Sequence, residues 1–153
     1  MTDLLAGALA GFTATVPMTL AMEVMHRGLP APERYPLPPR DVALAAAERA
    51  GAEDALDEAR RLDLTLATHF AIGTGSGAAY ACLARPLPLP PVVKGAAFGL
   101  ALWGAAYLGV LPALGILRPA TEHPPRRTGL MIAAHLVWGT VTGLLTEHGA
   151  APE

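Results

Sequence analysis

The chain has 153 residues, 52% of them hydrophobic and 16% charged, with a formal net charge of -2. A soluble domain carries roughly a quarter charged residues. This balance excludes a disordered chain, the missing basic footprint excludes a nucleic-acid binder, and the length excludes a large two-domain enzyme. One cysteine, Cys82, can make neither an internal disulfide nor a thiolate zinc ribbon.

The 11 cations and 13 acids leave four long windows free of charge: 19 residues between Asp3 and Glu23, 21 between Asp63 and Arg85, 23 between Lys94 and Arg118, and 19 between Arg127 and Glu147. A helix rises about 1.5 Å per residue, so about 20 apolar residues match a hydrocarbon core about 30 Å thick. A soluble bundle of very apolar helices would show a charged outer face at helical period, and these windows show none. The expectation is an all-α fold, a four-helix transmembrane bundle forming a single integral membrane domain over 1–153, with spans at about 4–26, 64–84, 92–117 and 128–148. Met1-Thr2-Asp3 lacks the positive start of a cleaved signal peptide, so the first window is expected to stay as a span.

Orientation follows from the cations. Arg27, Arg34, Arg40, Arg49, Arg60 and Arg61 precede the second window, and Arg118, Arg126 and Arg127 follow the third; only Arg85 and Lys94 lie on the other side. The positive-inside rule then makes loops 27–63 and 118–127 cytoplasmic and both termini external, in a bacterial inner membrane. The connections Leu29 to Arg40, Arg85 to Pro91 and Arg118 to Arg127 are proline-rich. Between Asp41 and Leu62 an alanine-rich stretch predicts one or two cytoplasmic helical pieces broken near Gly51.

The second and fourth windows share the pattern HxxxGTxxG, with His69, Gly73, Thr74 and Gly77 matching His135, Gly139, Thr140 and Gly143. The first and third share a glycine pair, Gly7 and Gly11 against Gly95 and Gly99. The simplest account is a duplicated two-helix hairpin of parallel topology, its first copy enlarged by the cytoplasmic insertion. The eight glycines mark where helices approach closely in lipid.

With Pro38-Pro39-Arg40, His69 with its glycines and Tyr80, Trp103 with Tyr107 and Pro112, and His135 with Gly139, the chain resembles the YagU-like family of small uncharacterised bacterial inner-membrane proteins. That resemblance implies an inner-membrane placement over most of the chain and carries no reaction with it.

Helical spacing puts His69 on one face with Gly73, Gly77 and Tyr80, and His135 with Gly139 and Gly143. Both histidines fall about 10 Å inside the cytoplasmic ends of their helices. Glu23 and Arg40 come at the same end, so Glu23, His69, His135 and Arg40 form a candidate intramembrane polar cluster. Three readings stay open: structural hydrogen bonding between helices, a pH-responsive proton or small-solute transport cluster, and a bis-histidine haem b or metal site formed with Glu23. Enzyme action is the weaker class, because no nucleophile with a base, carboxylate pair or complete metal set is visible. Tyr80 is expected in an interfacial aromatic belt, Pro17 and Pro112 as kinks, and Met18, Met22 and Met25 as apolar fillers. The expected partners are the lipid bilayer and a second copy or another membrane protein; nucleic acid is excluded.

Overall fold

A computed structural model describes residues 3–148, without the side chain of His148. Five helices account for most of it, and the described residues contain no strand: α1 (Asp3–Arg27), α2 (Pro38–Arg49), α3 (Glu58–Leu83), α4 (Pro91–Ala113) and α5 (Pro125–His148). Three of them, α1, α4 and α5 up to Glu147, are long and apolar enough to cross a membrane. The apolar run of α3 is diluted by Thr65, Thr68, His69, Thr74, Ser76 and three glycines, so composition alone does not qualify it.

The helix boundaries follow local chemistry. Prolines open α2, α4 and α5, where a missing N–H is harmless. Asp57 caps α3 by accepting a hydrogen bond at Oδ1 from the Arg60 N–H at 2.9 Å. Gly51 ends α2 at φ +66°, with the Ala52 N–H donating to the Ala47 carbonyl, a Schellman stop in the place predicted for the break. Gly115 ends α4 in the same way at φ +67°, with the Ile116 N–H on the Leu111 carbonyl.

Helix α4 is not α-helical throughout. From Ala105 to Val110 it widens to a π-helix, in which the Leu111 N–H donates to the carbonyl of Ala106 five residues back. Pro112 lies just beyond, has no N–H, and its ring would crowd the Leu108 carbonyl in a regular helix; the wider turn relieves that conflict. The kink expected at Pro112 is therefore a π segment, whereas α1 runs unbroken through Pro17.

The helices form a row: α3 packs on α1, α1 on α5, and α5 on α4. Their faces are sorted by size. On α1, Leu5, Leu9, Phe12, Val16, Leu20 and Val24 stand exposed, while Gly7, Ala10, Gly11, Ala14 and Thr15 are buried. Bulk outward and small residues inward is what lipid permits, because association there rests on close contact rather than water exclusion.

At the α1–α3 crossing, a Cβ at Gly11 would lie 2.7 Å from the Gly77 Cα, and one at Gly7 would strike the Gly77 carbonyl oxygen. At the α4–α5 crossing, a Cβ at Gly99 would lie 3.2 Å from the Gly139 Cα, and one at Gly95 would lie 3.2 Å from the Gly143 Cα. Gly73 fits beneath Thr15, whose hydroxyl turns back to the Gly11 carbonyl at 2.8 Å. The same carbonyl accepts from Trp138 Nε1 at 3.1 Å, tying α5 to α1.

Candidate functional site

Two polar anchors sit at opposite ends of the helices. At one end, between α3 and α4, Lys94 is buried; its Nζ lies 2.5 Å from Glu147 Oε1 and donates to the Arg85 carbonyl at 2.9 Å. Tyr80 is fully buried and donates to the same Glu147 oxygen at 3.3 Å, and Arg85 pairs with Asp3. Tyr80 is thus part of the core rather than the predicted aromatic belt, because its hydroxyl has a carboxylate to meet inside the protein. Its ring meets Phe98 of α4 edge-on, with centroids 5.5 Å apart.

At the other end, Arg127 of α5 is buried and its guanidinium donates to the carbonyls of Glu33 (2.9 Å), Tyr35 (2.8 Å) and Pro36 (2.8 Å), while lying 3.5 Å over the Tyr35 ring. Tyr35 in turn hydrogen-bonds His123 Nδ1 at 2.8 Å. One arginine therefore shapes the proline-rich segment that delivers the chain into α2. Helix α2 is fastened to α3 by a two-pronged pair, Arg40 to Glu58 at 2.7 and 2.8 Å. That guanidinium holds the Glu58 carboxyl below its ordinary range, while burial pushes Asp41 above its own.

Between these anchors, on the Arg127 side of the glycine crossings, α3 and α4 draw apart. A cavity of about 310 Å³ opens there. Its back is Thr15, Met18, Met131 and Trp138 of α1 and α5; one flank is His69 and Ile72 of α3; the other is Ala106, Tyr107 and Val110 of the π segment; Pro38, Pro39 and Val42 of α2 close its end. The π segment builds this wall, since it swings Tyr107 inward to meet the His135 ring edge-on at 5.6 Å.

His69 and His135 thus line one cavity. His135 Nδ1 lies 2.8 Å from the Met131 carbonyl, which only accepts; Nδ1 of the neutral ring carries the proton and Nε2 is left as a bare acceptor. His69 Nε2 is buried and has no hydrogen-bond partner among the described residues. The other two members of the predicted cluster lie elsewhere. Glu23 pairs with Arg27 one turn along α1 at 2.8 Å on the surface, and Arg40 is engaged with Glu58; neither lines the cavity. Equal depth on two helices does not make side chains converge: Glu23 leaves α1 on its exposed face, away from Met18 and Met22.

No group of three His, Cys, Asp or Glu side chains gathers among the described residues, so the metal reading lacks its third ligand. The haem reading meets a volume limit as well. A cavity of about 150 Å³ holds a benzene, and one of about 310 Å³ is far short of a porphyrin. The sequence gives Lys94, Arg127, Tyr107 and the π segment no assigned part in a site. Only the last had a signal, Pro112 near the end of an apolar run.

The architecture is that of an all-helical protein with a histidine-lined cavity beside three helices able to cross a membrane. The chain belongs to a family described as a protein of unknown function, DUF1440, whose model matches residues 46–144 and so spans both histidines. No curated protein and no solved structure matches it.

Proposed function

We propose that the chain is a four-span integral protein of the bacterial inner membrane, with both termini outside, and that the His69–His135 cavity is the working site of a transport-linked bundle. The observation that carries this reading is the convergence of two histidines on a single space between helices. Ionisable groups kept at such depth are functional by default.

Packing supports α3 as the fourth span. Helix α1 is apolar enough to cross a membrane, and α3 lies so close along it that no Cβ fits at Gly7, Gly11 or Gly77. Two helices joined at that distance share one depth. The matched glycine contacts of the α1–α3 and α4–α5 pairs favour a duplicated hairpin, and the YagU-like resemblance fits the same placement. Nine cations against two favour loops 27–63 and 118–127 as cytoplasmic.

The test is reconstitution into liposomes enclosing a pH-sensitive dye, followed by an imposed pH step. Proton flux above that of empty liposomes is expected from the wild type and is lost in both His69→Ala and His135→Ala; wild-type vesicles as tight as empty ones reject the transport role. Orientation is read separately from Leu87→Cys in a Cys82→Ala background. An impermeant maleimide should label it from outside the cell membrane, and labelling only in inverted vesicles reverses the topology.

A further inference from the structure

We infer that the cavity binds a small, uncharged, mainly apolar molecule bearing one hydroxyl-type hydrogen-bond donor, of which a phenol is the type case, entering sideways from the bilayer between α3 and the π segment of α4. This rests on the membrane reading above and supplies the ligand class of the same site.

Charge is the first constraint. Among the described residues the cavity lining includes no Asp, Glu, Lys or Arg. A charged guest would leave water with no counterion to meet it, which an apolar interior strongly disfavours. Hydrogen bonding is the second. With its Nδ1 proton committed to the Met131 carbonyl, His135 of the cavity lining offers Nε2 only as an acceptor. A guest that donates satisfies such a nitrogen, whereas a hydrocarbon leaves it orphaned.

Size is the third constraint. An apolar cavity of about 150 Å³ takes one benzene. This cavity, at about 310 Å³, has room for a guest of about ten to twelve non-hydrogen atoms on the same scale. Trp138 and Tyr107 give it flat aromatic walls. Entry is the fourth. Ile72 and Val110, on opposite flanks, are 48% and 55% exposed, so the flanks reach the outer surface of the row while α2 closes the end. That surface faces lipid, in which a neutral aromatic alcohol dissolves. A lipid tail would fill the space but has no donor for His135 Nε2.

Three probes of nearly one shape separate the possibilities: 2-naphthol, naphthalene and 2-naphthoate, titrated calorimetrically into the full-length protein in detergent, with empty micelles as blank. The expected result is saturable one-to-one binding of 2-naphthol, about tenfold tighter than that of either other probe, as one hydrogen bond to a buried group would give. His135→Phe should bring 2-naphthol down to the level of naphthalene, and Val110→Trp, which fills the cleft, should abolish both. Equal binding of naphthalene and 2-naphthol by the wild type removes the donor requirement. Tightest binding of 2-naphthoate reverses the charge argument, and no saturable binding of any probe overturns the ligand class outright. A Val110→Cys protein in a Cys82→Ala background that cross-links to a second copy makes the cleft an interface between copies and overturns the inference too. These readings use wild-type protein or a surface cysteine, so a misfolded His135→Phe does not blunt them. Binding failure leaves the flux assay untouched, and flux failure leaves binding to be measured on its own.

Discussion

The two halves of this helix row are built on opposite rules. Toward the Lys94 end, glycines bring α1 against α3 and α4 against α5 until backbone meets backbone, and the remaining gap between α3 and α4 is filled by Tyr80 and Phe98 over a buried ion pair. Toward the Arg127 end the same helices carry His69, Tyr107, His135 and the π segment, and they part around a cavity. An unbroken α4 would have turned Tyr107 elsewhere. One half is packed to be rigid so that the other can stay hollow.

The sharpest way to break that division is to put bulk into the packed half. A side chain at Gly77 would meet the Gly7 carbonyl and the Gly11 Cα, which are backbone atoms with nowhere to retreat. Gly77→Leu is expected to separate α1 from α3 at a cost of about 3 kcal/mol or more, seen as loss of a monodisperse peak in detergent. Gly75 has open space around its Cα, so Gly75→Leu on the same helix should retain that peak and serves as the control.

The hollow half depends on Arg127 holding the loop that presents α2. Arg127→Met removes three carbonyl contacts and a cation over Tyr35 at a buried position, a loss of about 3 kcal/mol. The expected readout is rapid proteolysis within residues 29–40, which are slow to cleave in the wild type. Arg127→Lys should rescue little, because an ammonium cannot reach three carbonyls and stack flat on a ring at once. Protection unchanged in both variants would show that the prolines alone shape the segment.

Much of the packed half was legible in the sequence, and little of the hollow half was. Charge-free windows located the long helices, the glycine pairs located their crossings, and Gly51 located the break between α2 and α3, because each is a local property of one helix or turn. The cavity is a property of a pair of helices that fail to touch, and periodicity reports only which residues share a face. Thus face periodicity groups His69 and His135, which line the cavity, whereas depth alone groups Glu23 with them although it sits on the exposed side of α1. Lys94 and Arg127 read as ordinary loop cations, since their burial is decided by Glu147 and by the carbonyls of residues 33–36, both distant in the chain.

A smaller perturbation tests the packed end alone. Lys94→Met leaves Glu147 and the Tyr80 hydroxyl without their cation. Because Glu147 retains 22% side-chain exposure and can take up water, the loss should be about 2 kcal/mol, below the 3–5 kcal/mol typical of fully enclosed pairs. Adding Glu147→Gln should restore part of the melting temperature, and a double variant less stable than the single one would mean that Glu147 is held by something other than this lysine.

The smallest expected effect concerns α2, the element that closes the hollow half. Asp41 is half-buried near the start of that helix, and burial raises its folded pKa above the usual 3.8 against the pull of Arg127 and Arg40. A carboxyl that is easier to protonate when folded stabilises the protein below its unfolded pKa, and that contribution is lost as pH rises through the folded value. Glu58 works in the opposite sense: its pKa is lowered by Arg40, so its contribution is present above 4.5 and disappears as pH falls through the folded value. In melts between pH 3 and 7, Asp41→Asn should therefore flatten a decline in stability toward neutral pH, and Glu58→Gln should flatten a decline toward acid. If Asp41→Asn instead steepens the fall toward pH 7, the aspartate is held ionised by Arg127, and the α2 closure rests on that charge pair rather than on burial.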